Sequence, residues 1–440
     1  MQVRRTARSV RKNRNHLNFE PLEPRSLLTF APGTAAAASN PTFDSIIHAS
    51  QLRNTYDVDG RGLAAAVIDT GIDYLNPALG GSFGPNRKVI GGYDLAMNDN
   101  DPRAETWAHG TNVAGLIASE STEAPGVAPG ASLVALRVFG NDNLGDFDTI
   151  ANALQWVVDH HDEYGITVVN LSVSDGGNYT RDGYSKDGQI GQRIAGLIDQ
   201  LAQLRIPVVA AAGNSFRGAQ GMGFIAILPG TVSVTAARSN DELLPDAQRL
   251  GSATGGVSAT DLVAPGDSLK TTGENGGLTQ VTGTSFSAPV VTGSIVLLQQ
   301  IYKTRFGSLP PVADVLRWLT QGAETIRDQA TGTTLSRLDL TKAAALIPTP
   351  QTTEPPQHVE TPPQQTPQPT PTPSPTPNPN PDTPPAPTFF LSIPSTDQSP
   401  KQTILNAFRR GRNTERPSPP QRRLAAHRFA RFHKAASTRR

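Results

Sequence analysis

Gly283-Thr284-Ser285-Phe286-Ser287-Ala288-Pro289 runs directly into Val290, Val291, Ile295, Val296, Leu297 and Leu298. Small residues around a serine, followed by apolar residues on every side, put a hydroxyl at the start of a buried helix. Backbone N–H groups have no intrahelical acceptor there, and the positive end of the helix dipole favours developing negative charge. Pro289 is expected in the first turn, where its missing N–H would find no partner anyway. A plain Ser/Thr-capped helix has the same signature, so the reading depends on the rest of the chain.

Upstream, short apolar runs alternate with helical periods. Leu63 to Ile68, Ser132 to Val138, Thr167 to Val173, Ile206 to Ala212, Thr231 to Thr235 and Asp261 to Ala264 read as buried strands. Amphipathic segments at Phe147 to His160, Gln192 to Leu204, Thr284 to Tyr302 and Val312 to Thr320 read as helices. This alternation predicts an α/β fold with a doubly wound, mainly parallel sheet and helices on both faces. Sites in such sheets form at the carboxyl ends of the strands.

The pattern occupies residues 44–346, and the flanks differ in composition. Residues 1–43 form a basic leader with Arg4, Arg5, Arg8, Arg11, Lys12 and Arg14, without the apolar core of a secretory signal. Residues 347–387 are rich in Pro, Thr and Gln and predict an extended linker. Residues 388–440 are a basic tail in which Arg409, Arg410, Arg422 and Arg428 interleave with Phe408, Phe429 and Phe432. Leader and tail are expected to be disordered, and the tail has the composition of a segment that binds an anionic surface. Between residues 26 and 400 lie 20 basic and 35 acidic residues, so an acidic body carries basic ends. The absence of cysteine excludes disulfides, thiol nucleophiles and Cys-ligated zinc. No run reaches the ~18 apolar residues of a membrane-spanning helix.

Three further segments give the serine a chemical context. Asp69 ends the first buried run in Val67-Ile68-Asp69-Thr70-Gly71, where a half-desolvated carboxylate needs a partner. His109 opens His109-Gly110-Thr111-Asn112-Val113-Ala114-Gly115, whose small residues Gly110, Ala114 and Gly115 let a helix approach the sheet. Asn214 follows Val208 to Ala212 and places an amide donor at a strand end. Each has an ordinary structural explanation on its own.

Taken together, in this order and with these neighbours, they resemble the subtilisin-like serine proteases (subtilases, peptidase family S8). The resemblance covers residues 44–346. It implies a triad of Asp69, His109 and Ser285, with Ser285 as nucleophile, His109 as general base and acid, and Asp69 orienting the imidazole. It also implies an oxyanion hole from the Asn214 amide and the Ser285 N–H, and a substrate-binding strand end at Ser172, Val173 and Ser174. Protein or peptide substrates, a monomeric domain that binds no nucleic acid, and no required cofactor follow from it. So does calcium as a structural ion, with Asn98-Asp99-Asn100-Asp101 as the oxygen-rich loop to inspect; no metal ligands are assigned.

The chain departs from the family in several places. Asn112 stands where a second histidine is common, Glu105-Thr106-Trp107-Ala108 replaces an acidic, glycine-containing lead, and Gly176-Gly177 comes later after Ser172 than usual. Trp107 is expected either to line the substrate cleft or to cover the core, with the core favoured, and no folded inhibitory prodomain is read in the leader. Phe19-Glu20-Pro21-Leu22-Glu23-Pro24-Arg25-Ser26-Leu27-Leu28 resembles the LEPR-x-LL segment of some exported bacterial proteins, which implies an extracellular or cell-surface location. The competing functional class is a catalytically idle binding or scaffold protein on the same fold. An α/β-hydrolase esterase is disfavoured, because Ser285 is not followed by the glycine of Gly-x-Ser-x-Gly and His109 precedes it.

Overall fold

The six apolar runs all become strands, and five further strands complete the sheets. The computed structural model describes residues 38–104, 107–141, 144–182 and 189–350. In chain order the strands are β1 (Ala64–Asp69), β2 (Val89–Asp94), β3 (Ser132–Arg137), β4 (Ile166–Leu171), β5 (Val208–Ala211) and β6 (Thr231–Ala237). They continue as β7 (Leu262–Pro265), β8 (Leu269–Thr272), β9 (Leu278–Val281), β10 (Glu324–Arg327) and β11 (Thr334–Arg337). Nine of them form one sheet in the order β10-β11-β7-β6-β5-β4-β1-β3-β2, parallel except for the β10–β11 pair. β8 and β9 form a separate antiparallel ribbon leading into the serine segment.

β1 shows why these strands read as unbroken apolar runs. Ala65 and Val67 pack on one face with Val290, Ile295 and Val296, whereas Ala64, Ala66 and Ile68 pack on the other with Ile150, Leu154 and Ile198. Successive side chains point to opposite faces and both faces are covered, so Ala64 to Ile68 are all apolar and polarity enters β1 only at its carboxyl end, with Asp69. The Thr284–Phe306 helix lies in the first layer, with Val312–Gln321 and His109–Ala118 beside it; Phe147–Tyr164 and Gln189–Gln203 cover the second. β1 lies between β3 and β4, where the strand order reverses direction. The carboxyl end of β1 therefore sits at the switch point, where a crevice opens between diverging connections.

The unforeseen strands lack apolar continuity. β2 contains Gly91 and Gly92; a Cβ on Gly92 would lie 1.9 Å from the Ala135 carbonyl oxygen, so the close pairing there excludes a side chain. β10, at the sheet edge, and β11 beside it are largely polar. Packing also extends beyond residues 44 and 346. Phe43 and Ile347 are buried, and Asn40 Nδ2 donates to the Pro125 and Lys270 carbonyls. Residues 1–37 of the expected leader, 351–387 of the linker and the whole of the tail lie outside the described residues. Among the described residues no helix is long and apolar enough to cross a membrane.

Candidate active site

Asp69 is the last residue of β1 and is fully buried. Its Oδ1 accepts from the Thr70 N–H at 2.7 Å and lies 2.8 Å from His109 Nδ1. With a carboxylate facing it, Nδ1 carries the proton, which leaves Nε2 as the acceptor. His109 is the first residue of its helix, and the close approach depends on the residue after it. A Cβ on Gly110 would sit 2.2 Å from the Gly71 carbonyl oxygen and 3.1 Å from Asp69 Oδ1. Thr70 locks this junction, its hydroxyl accepting from the Gly110 N–H and donating to the Trp107 carbonyl. The far side of the same helix is tied to β8: Asn112 Nδ2 donates to the Thr272 carbonyl at 2.6 Å.

The imidazole is flanked by two aromatic rings, Trp107 and Phe286, each with its centroid 5.2 Å away. Trp107 is half-buried and also lines a cavity of about 340 Å³ with Asp73, Arg103, Thr111, Glu274 and Asn275. Of the two expected positions, lining the cleft and covering the core, its half-burial at the cavity wall fits elements of both.

Ser285 is the second residue of the Thr284–Phe306 helix, after Gly283 at φ +134°. The Thr284 N–H donates to Asn214 Oδ1 and the Phe286 N–H to the Gly283 carbonyl. Among the described residues the Ser285 N–H has no acceptor, so it is free to meet an anion. Asn214 lies just past β5, and its Oδ1 accepts from both the Thr284 N–H and hydroxyl, each at 3.0 Å. Two donors on the oxygen fix the amide's orientation and leave Nδ2 as the free donor. Among the described residues Ser285 Oγ and His109 Nε2 make no hydrogen bond with each other, and no other protein group engages either. Such contacts are often long before substrate is bound.

Pro289 does not occupy the expected first turn; it is the sixth residue of a helix that continues through it. Ser172, just beyond β4, is 2% exposed, and its hydroxyl donates to the Ser285 carbonyl at 2.7 Å. Val173 is buried and Ser174 half-buried. Beyond them, Asp175 Oδ1 accepts from the Gly177 and Phe224 N–H groups, so the shifted glycine pair forms part of a hydrogen-bonded wall. Thr284, Thr70, Phe286 and Asn170 belong to the site's framework without having been assigned roles from sequence. Their hydroxyls, ring and amide gain meaning only from distant partners.

The Asn98 to Asp101 loop is a hydrogen-bonded turn. Asp99 Oδ1 accepts from the Asp101 N–H, and Asp101 Oδ1 from the Tyr74 hydroxyl and the Arg103 N–H. Among the described residues no group of three or more His, Asp or Glu side chains could hold a metal ion.

Comparison with known proteins addresses the family and the fold. The family model described as the subtilase family, Peptidase_S8, matches residues 60–338. Subtilisin E of Bacillus subtilis (strain 168) is 31% identical over 252 residues, covering 56% of this chain and 57% of that protein. Thermitase of Thermoactinomyces vulgaris is 30% identical over 252 residues, covering 56% and 79% respectively. The major intracellular serine protease of Bacillus subtilis (strain 168) is 28% identical over 255 residues, covering 57% and 72%. The crystal structure of a cold adapted subtilisin-like serine proteinase superposes with a TM-score of 0.51 at 27% identity, over 64% of this chain and 90% of that one. The chain spans 57% of the length of the first curated relatives it matches.

Proposed function

This chain belongs to the subtilase family, and from that premise we propose that it is a serine endopeptidase acting through Asp69, His109 and Ser285. The observation that carries the reading is the 2.8 Å contact between Asp69 Oδ1 and His109 Nδ1 at the switch point of the sheet.

Ser285 Oγ attacks the scissile carbonyl carbon while His109 Nε2 takes the hydroxyl proton. Asp69 keeps the proton on Nδ1 and stabilises the imidazolium that forms. The tetrahedral oxyanion is met by Asn214 Nδ2 and the Ser285 N–H, both already oriented before substrate arrives. Collapse breaks the C–N bond as His109 returns the proton to the leaving amine, leaving the acyl group on Ser285. Water, deprotonated by His109, then releases the acid and restores the hydroxyl.

Substrates on this reading are proteins or peptides, laid in extended form along the strand end at Ser172, Val173 and Ser174. The domain acts as a monomer and engages no nucleic acid. Residues 1–43 serve as a leader for export to the extracellular space or cell surface, 347–387 as a spacer, and 388–440 as a tether to an anionic surface.

A fluorophosphonate probe tests the central claim. The native chain should label strongly, and Ser285→Ala and His109→Ala should not. Equal, negligible labelling of all three would favour the idle scaffold.

A further inference from the structure

Pro289 leaves a gap in the ladder of the Thr284–Phe306 helix. In an α-helix the N–H of residue 289 donates to the carbonyl of residue 285, but proline has no N–H to give. The carbonyl left without its donor belongs to Ser285 itself. It accepts instead from the Ser172 hydroxyl at 2.7 Å, across 113 residues of sequence. We infer that Ser172 is a positioning residue, whose hydroxyl replaces the hydrogen bond that Pro289 denies to Ser285 and thereby fixes the first helical turn.

The surrounding bonds give this contact a direction. Thr292 Oγ1 lies 2.8 Å from Asn170 Oδ1, and Asn170 Nδ2 donates to Ser172 Oγ at 2.8 Å. Because the amide occupies an acceptor site on Ser172, the single hydroxyl proton points to the Ser285 carbonyl. From Asn170 Nδ2 through Ser172 Oγ to the Ser285 carbonyl the donors run one way and polarise each other, while Thr292 shares its single proton between Asn170 Oδ1 and the Ala288 carbonyl. Asn170, Ser172 and Thr292 are all buried, so the chain reaches the reacting atoms only through Ser285. It also connects the end of β4 to the serine helix two turns further on, at Thr292. A shift of the substrate-binding strand end relative to the nucleophile would have to break it.

This inference rests on the reading of Ser285 as the nucleophile, and a double-mutant cycle between Ser172→Ala and Pro289→Ala tests it. Turnover of a chromogenic peptide anilide is measured alongside denaturant unfolding of the full chain. Ser172→Ala should lower kcat about tenfold with KM changed less than about twofold, as expected for an unsatisfied buried acceptor beside the reacting serine. In the Pro289→Ala background the helix regains the missing N–H. There the same substitution should cost less than about threefold, and its effect on the unfolding midpoint should shrink in parallel. Equal losses in both backgrounds, or a change in KM alone, would overturn the proposal. Should Ser172→Ala not fold, Ser172→Cys keeps the packing with a weaker donor, and native kcat in that variant would equally overturn it. A native chain that turns over no peptide refutes the endopeptidase reading by itself, while the unfolding cycle still decides whether Ser172 replaces the Pro289 bond.

Discussion

Asp69 Oδ1 and His109 Nδ1 lie 2.8 Å apart although forty residues separate them in the chain. β1 delivers the carboxylate to the switch point, and the Gly110 backbone lets the histidine helix descend onto it. The carboxylate is thereby buried with its partner in place. Asp69→Asn should keep this packing while presenting the imidazole with a group that can donate as well as accept. A kcat loss of about 10⁴-fold with an unchanged fold is expected from the wrong tautomer, a magnitude carried over from serine proteases in general. Steady-state kinetics with circular dichroism as control would check it, and a loss under about tenfold would refute the orienting role.

Asn214 offers Nδ2 to the crevice because Thr284 holds its Oδ1. Asn214→Leu should lower kcat by about 10² to 10³ with little change in KM, the magnitude known for this amide in subtilisin rather than one read from these distances. A matching rise in KM would instead assign the amide to ground-state binding.

Glycine at 110 is a matter of space. Gly110→Ala places a Cβ 2.2 Å from the Gly71 carbonyl oxygen, so backbone must shift and carry His109 with it. Both the unfolding midpoint and kcat should fall. Gly196→Ala, in a helix where a Cβ meets nothing within 4 Å, should stabilise by up to about 1 kcal/mol and leave kcat unchanged. Thermal unfolding of the two variants side by side distinguishes space from helix propensity.

Asp261, just before β7, accepts from the Ser233 N–H and hydroxyl, yet burial pushes its carboxyl up to about 6, outweighing those bonds. The unfolded chain releases this proton near pH 4, the folded chain only near pH 6. The folded state therefore binds more protons across that window, and stability from this group falls as pH rises through it. Asp261→Asn should raise the unfolding midpoint at about pH 8 and have a smaller effect at about pH 4. Equal effects at both pH values would show that ionisation is not responsible.

Arg249 and Asp328 form a buried pair at 3.0 Å, with the guanidinium over the Phe216 ring. The pair ties the turn between β10 and β11 to the loop before β7. Asp328→Ala strands a buried cation and should cost about 3 to 5 kcal/mol in denaturant unfolding. Removing the exposed Arg238 from its pair with Glu242 should cost under about 1 kcal/mol.

The central strands and main helices were legible because burial on both sheet faces leaves an apolar run with no polar interruption, as in Ala64 to Ile68. β2 was not legible, since Gly91 and Gly92 answer to the close approach of Tyr164 and the Ala135 backbone rather than to any local periodicity. Nor were β10 and β11, at and next to the sheet edge, where partial exposure permits Glu, Thr and Arg. The site motifs were legible as residue types in order. Pro289 sits a turn later than expected because sequence gives no donor for the Ser285 carbonyl, and the Ser172 hydroxyl that takes that place comes from the segment after β4.

Sequence alone determined which residues carry reactive groups, since a hydroxyl, an imidazole, a carboxylate and an amide are fixed by covalent chemistry and their neighbours report strand ends and helix starts. Tertiary structure alone decided which of their atoms remain free. Thr284 consumes the oxygen of Asn214, Asp69 takes one nitrogen of His109, and Gly283 and Asn214 take the amides on either side of Ser285. Hydrogen-bond capacity is finite, and the partners that exhaust it lie up to seventy residues away in these pairs, beyond the reach of any local pattern.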